Sequence, residues 1–303
     1  MVWKRYTESF KQWLQLLNYT LSTTERMPRQ IEEFFEWIDR SEKLSSLEQI
    51  TRQHVHGYYE YLKYTRKSQN TDTFLKSQTL NGHIRALKLF SFYLEETLQG
   101  RLTIDLFYEK KETAIRQILS PNEVQLLYQA TGEDHYGIRE RAMLNLYYGC
   151  GLRSKEGIAL DTGDIMLDKK MVYVRQGKNY KERYVPFTEK QKEDFEQYLK
   201  YSRPQLIRSL SSGEGRGEVE KAFLIGHAGK RISYGILLKT LKRLQEHTGD
   251  TTLKQKTIGL HALRHSIATH LMQRGMKFDY ISQFLGHSNL ASTEVYMHLA
   301  TQE

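Results

Sequence analysis

Helical periodicity fails between Gly100 and Ile118 and resumes at Leu119, so the chain divides into two bodies, each with its own core. Before the break, Leu80, Ile84, Leu87, Ser91 and Leu94 share one stripe of a helix predicted over Thr79–Leu94, with Arg85 and Lys88 off it. Similar patterns run through Phe10–Leu17, with Trp13 and Leu14, and through Gln30–Ile38, where Pro28 serves as a first-turn residue. Thr51 is the expected N-cap of a helix carrying Val55, Tyr58, Tyr59 and Leu62. These elements predict a small helical domain over residues 1–110. The wholly charged run Glu109-Lys110-Lys111-Glu112 suggests solvent on all sides, with a linker at 111–118.

The second domain, 119–303, opens on Leu119-Ser120-Pro121-Asn122-Glu123, with Ser120 as N-cap, Pro121 in the first helical position and Glu123 in the third. Met171–Arg175 and Glu182–Phe187 are rich in β-formers and flank Gly177-Lys178-Asn179-Tyr180-Lys181, a hairpin signal. The remainder reads as helix, so the expected fold is mainly α, with a mixed α+β second domain holding a small sheet. Residues 211–217 are glycine-rich, but no Gly-Lys-Ser/Thr follows, and a surface loop is expected instead of a phosphate loop.

Charge narrows the partner. The 303 residues hold 45 Lys and Arg against 36 Asp and Glu, a formal net charge of +9. That excess favours a polyanion, nucleic acid or an acidic membrane surface. The single cysteine, Cys150, forms no internal disulfide and builds no cysteine zinc site, and a lone thiol suits a reducing cytosol. No run of 18 apolar residues occurs, and Met1–Tyr6 lacks the apolar stretch of a signal peptide. A cytoplasmic protein with no membrane partner is expected.

Four stretches of the second domain carry chemistry. Arg153 and Glu156 follow Gly149-Cys150-Gly151-Leu152 and are three apart, the spacing of an ordinary surface ion pair. Lys178 occupies a hairpin tip. His261 and Arg264, in His261-Ala262-Leu263-Arg264-His265, share a helix face and can address one phosphate, the histidine handling a proton and the arginine clamping oxygens. Zinc bound by His261 and His265 is the competing idea, but Ala262 stands where a His-Glu-x-x-His protease has its glutamate. Last comes Leu285-Gly286-His287-Ser288, in which Gly286 should stop a helix, followed by a segment containing Tyr296.

In this order the residues resemble the tyrosine recombinases, or phage integrases. That family's pattern is an arginine with an acidic residue three later, a hairpin lysine, His-x-x-Arg, a histidine in Leu-Gly-His and a tyrosine nine residues on. Arg153, Glu156, Lys178, His261, Arg264, His287 and Tyr296 fill those slots. The resemblance implies a core-binding (SAM-like) first domain, a catalytic second domain, and site-specific recombination of double-stranded DNA without metal or cofactor. It further implies a clamp around the duplex, a homotetramer on two DNA sites, possible accessory proteins and a nucleoid-associated location. Tyr296 would be the nucleophile, His261 its base, Lys178 the acid for the leaving 5′ oxygen, and Glu156 a residue that orients the others. Arginine suits a phosphorane-like state because its planar fork binds two oxygens and keeps its proton.

Arg85, Lys88, Lys181, Lys239, Lys242 and Arg243 are candidates for DNA contact, each equally readable as a solvated face. Three departures from the family's pattern stand out. Asn179 replaces a common glycine, Gly157 replaces a bulkier residue and should weaken its helix, and seven residues follow Tyr296, where relatives have a longer tail. The short tail predicts assembly through the Tyr296 helix or the first domain, and the lack of a preceding arm domain predicts a simple Xer-like or transposon-encoded enzyme. The rival classes are a type IB topoisomerase and a catalytically silent DNA-binding regulator.

Overall fold

The structure, a computed structural model, describes residues 2–42, 44–68, 71–110, 117–175, 182–208, 221–226 and 229–286. The chain is mostly helical and separates into two compact units, Met1–Ala114 and Ile115–Glu303. Among the described residues, no helix is long and apolar enough to cross a membrane.

In the first unit, α1 (Val2–Leu16), α2 (Leu21–Ser41), α3 (Arg52–Tyr64) and α4 (Ser77–Glu96) pack around Phe10, Phe34, Phe35, Tyr58 and Phe90, all essentially inaccessible. The stripe on α4 is buried, including Ser91, whose hydroxyl donates to the Leu102 carbonyl at 2.5 Å. Thr51 caps α3 in partnership with His54, whose ring nitrogen accepts from the Thr51 backbone N–H at 2.9 Å.

Two expectations fail here. Pro28 lies inside α2, not in its first turn, because α2 begins at Leu21. Thr24, Met27 and Ile31 are buried around the proline, and their packing carries the helix through the missing hydrogen bond. Glu109 is no solvated linker residue either. Its carboxylate binds Tyr59 and Lys63, and its backbone N–H and C=O each bond to the Asn81 side chain, at 2.7 and 2.9 Å. With Leu102 and Leu106 buried, the stretch after α4 lies against α4 as part of the first unit.

The second unit opens with α5 (Pro121–Gln129), where Ser120 and Glu123 form the expected reciprocal capping box. Then come α6 (His135–Leu144), a turn of π-helix at Asn145–Gly149, and α7 (Ser154–Ala159). A three-stranded antiparallel sheet follows in the order β1 (Ile165–Met166), β2 (Met171–Val174), β3 (Arg183–Pro186). The hairpin's register pairs Val172 with Val185 and Val174 with Arg183; its tip, 176–181, lies outside the described residues, as do 111–116 of the linker and the loop 211–217. Strand β1 escapes sequence reading because two residues carry no alternation.

Among the described residues, six helices follow: α8 (Glu189–Gln197), α9 (Arg203–Arg208), α10 (Tyr234–His247), α11 (Thr251–Gln255), α12 (Leu260–Gln273) and α13 (Phe278–Leu285). The core formed by Leu127, Leu146, Tyr147, Val172, Val185, Tyr198, Phe223, Leu241 and Leu263 holds α7, the sheet and α12 together.

Candidate active site

Arg153 is the N-cap residue of α7 and Glu156 its third helical residue. Glu156 accepts from the Arg153 backbone N–H at 2.8 Å and from the Arg153 guanidinium at 2.6 Å. This is no surface ion pair, because Glu156 is only 6% exposed. Arg183, on β3, donates two further bonds to the same carboxylate, at 3.1 and 2.9 Å. Arg264, buried on α12, approaches it to 4.0 Å. Burial alone would raise the Glu156 pKa, but the hydrogen bonds and charges of Arg183 and Arg153 overcome that and hold it at about 2.

The same three arginines grip the end of α13. Arg183 donates to the Phe284 carbonyl at 3.2 Å, Arg264 to Leu285 at 2.6 Å and Arg153 to Gly286 at 2.9 Å. A helix C-terminus leaves its last carbonyls without intrahelical partners and carries partial negative charge, which guanidinium groups satisfy. Gly286 ends α13 with φ 65, the left-handed conformation its sequence position predicts. Arg264 also donates to the Gly151 carbonyl at 2.5 Å, so the Gly149–Arg153 corner, α12 and the end of α13 share one cluster of cations.

His261 precedes Arg264 on the same helix. Its side chain is exposed, yet neighbouring protein atoms desolvate it enough to lower its pKa, and the charges of Arg264 and Arg153 lower it further. It is therefore neutral at pH 7 and able to accept a proton. Cys150 is fully buried, and burial pushes its thiol up to about 12, which leaves it inert as a nucleophile beside the cluster.

The structure thus brings together Arg153, Glu156 and Arg264, with His261 within their electrostatic reach. Lys178, Lys181, His287, Tyr296 and Asn179 lie outside the described residues. Arg183 belongs to the family-like stretch Gly177-Lys178-Asn179-Tyr180-Lys181-Glu182-Arg183-Tyr184-Val185-Pro186, but sequence reasoning gave it no role. Alternation along β3 points Arg183 and buried Val185 to one face and exposed Tyr184 to the other, and a charge on an inward strand face was its available signal.

Gly157 corrects another expectation. A Cβ there would meet the Tyr147 ring at 2.7–2.8 Å, so the glycine is a packing requirement of the buried tyrosine and no weakness of α7.

Among the DNA-contact candidates, Arg85, Lys239 and Lys242 are exposed, and Lys88 sits 4.8 Å above the Tyr108 ring. Arg243 instead ion-pairs with buried Glu140 and contacts His247 at 3.3 Å.

The profile of the phage integrase family matches residues 117–303. Tyrosine recombinase XerC 2 of Ralstonia nicotianae is 30% identical over 306 residues, covering 100% of this chain and 84% of that protein. Tyrosine recombinase XerD of Oceanobacillus iheyensis is 29% identical over 280 residues, covering 92% and 88%. Among solved structures, the Tn1549 transposon integrase in complex with circular intermediate DNA superposes with TM-score 0.70 at 18% identity, covering 96% of this chain and 94% of that one. XerH recombinase bound to a difH substrate gives 0.69 at 17%, covering 98% and 82%.

Proposed function

The chain belongs to the phage integrase family, the tyrosine recombinases, and on that footing we propose that it is a site-specific DNA recombinase. It cleaves and rejoins strands through a 3′-phosphotyrosyl intermediate on Tyr296. The observation that carries this reading is the convergence of Arg153 and Arg264, organised around buried Glu156, on the end of the helix that leads into Leu285-Gly286-His287.

The chemistry follows from the groups. The Tyr296 oxygen attacks the scissile phosphorus, its proton passes to His261, and the bond to the 5′ oxygen breaks as Lys178 protonates that oxygen. Ionising a phenol of pKa near 10 at pH 7 costs about 4 kcal/mol unaided, and adjacent cations lower that cost. Guanidinium groups of Arg153 and Arg264, with His287, stabilise the extra charge on the non-bridging oxygens more than they stabilise the ground state. The covalent link keeps the phosphodiester energy, so a 5′-hydroxyl of a partner strand rejoins without ATP.

The Arg264 side chain is only 3% exposed, covered by the end of α13. On this reading Arg264 exchanges its helix-end carbonyl for a phosphate oxygen when DNA binds, while the more exposed Arg153 keeps free donors for it. The net charge of +9 supports a DNA partner on both halves of the chain. Family membership supports a tetramer on two sites, aided by accessory proteins, acting on nucleoid DNA in the cytoplasm.

The test is covalent capture from a library of nicked duplexes of randomised sequence. Wild-type protein should form a protein–DNA adduct that Tyr296→Phe does not. Duplexes recovered this way, mixed in pairs, should yield exchanged strands. Adduct formation by Tyr296→Phe would discard Tyr296 as nucleophile, and relaxation of supercoils without exchange would favour the topoisomerase class.

A further inference from the structure

The Arg153–Arg183–Arg264 cluster is not three equal phosphate ligands. Arg183 has each of its three nitrogens committed within the protein: Nε to the Phe284 carbonyl at 3.2 Å, Nη1 and Nη2 to the two Glu156 oxygens at 3.1 and 2.9 Å. Its side chain is 9% exposed, against 22% for Arg153. Gly286 is built against it from the other side, since a Cβ on Gly286 would meet the Arg183 Nη1, Cδ and Cζ atoms at 2.8–2.9 Å. The guanidinium fills a slot bounded by the Glu156 carboxylate, the last turn of α13 and the backbone of Gly286. In sequence, β3 directly follows the hairpin tip that bears Lys178, and Gly286 directly precedes His287.

We propose that Arg183 is a positioning residue of the recombination reaction: it ties β3, Glu156 and the end of α13 into one frame while Arg153 and Arg264 turn to the phosphate. The proposal rests on the recombinase reading given above. Arg183 touches no DNA; it acts by fixing the anchor points of the segments that carry Lys178, His287 and Tyr296. A planar fork is needed, because one ammonium cannot hold both Glu156 oxygens and a helix-end carbonyl together. The groups facing Glu156 are Arg153 from α7, Arg183 from β3, Arg264 and His261 from α12, and the Tyr147 phenol from the π-turn, with Asp164 and Arg175 lining the cavity beside it. Loss of Arg183 removes the carboxylate's bidentate partner and lets burial raise its pKa.

The experiment uses the full chain and a nicked duplex captured by the wild-type protein, measuring DNA affinity and the single-turnover cleavage rate separately across pH. Arg183→Gln should bind with affinity within about threefold of wild type. At saturating DNA it should cleave about a hundredfold more slowly, the scale of a 1 Å misplacement. Its acid limb, set by His261 in the wild type, should gain a second protonation from Glu156, and Arg183→Lys should restore only a minor part of the rate. If Arg183→Gln fails to fold, Arg183→Lys, which keeps the charge but loses the fork, should show the same split between affinity and rate. Cleavage by the folded variants within threefold of wild type, with an unmoved pH profile, would overturn the proposal. So would a rate loss fully explained by weaker binding, which would make Arg183 a direct phosphate contact. Absence of a wild-type adduct would count against the recombinase reading itself.

Discussion

At the scale of the residue, Glu156 shows how far spacing alone can carry an argument. The three-residue interval to Arg153 was legible, and the resemblance implied an orienting role. The burial was not, because it depends on β3 and α13 closing over α7 from distant parts of the chain. Removing one partner of a buried, hydrogen-bonded charge cluster leaves the others uncompensated. Glu156→Gln should therefore lower the unfolding free energy by about 3–5 kcal/mol in denaturant titration. A loss below 1 kcal/mol would mean that the arginines are stable without it. Linkage has a definite sign here: the folded pKa is about 2 against the ordinary glutamate value of 4.5, so the ionised carboxylate contributes stability above 4.5. That contribution should fade as pH falls from 4.5 towards 2, and the wild-type denaturation midpoint should drop over that window more than that of Glu156→Gln. His261 has a lowered pKa and stays neutral at pH 7. The acid limb of the wild-type cleavage rate should then lie below pH 6.5, the ordinary histidine value.

Elements were legible where one face meets one core. The α4 stripe and the Ser120–Glu123 capping box follow directly from residue types at fixed offsets. Pro28 and Gly157 were misjudged because propensity is a local quantity and both are governed by tertiary neighbours, the packed face of α2 and the Tyr147 ring. Arg183 was passed over because, at a strand's start beside a charged hairpin tip, it resembles its solvated neighbours in sequence. Gly157→Ala provides a check on α7. The added methyl must displace a fully buried tyrosine, so the variant should lose about 1–3 kcal/mol of stability. A variant as stable as wild type would restore the view that glycine merely weakens this helix.

For the whole molecule, charge gave the partner class but not the contacting residues. Arg243 illustrates why: it sits on α10 with Lys239 and Lys242, yet its guanidinium pairs with buried Glu140, a contact no helical pattern reveals. Affinity for duplex DNA should fall steeply with salt. Lys239→Gln and Lys242→Gln should each weaken binding uniformly across sequences and reduce the log–log salt slope by about one. An unchanged slope would remove that helix face from the interface. Arg243→Gln should mainly cost stability.

The account turns on a bond between DNA and one tyrosine. Protease digestion of the covalent adduct, followed by mass spectrometry, should find a nucleotide 3′-phosphate on the peptide containing Tyr296 and a free 5′-hydroxyl on the released strand. A nucleotide carried by any other residue, or a 5′-phosphate on the released strand, would contradict it.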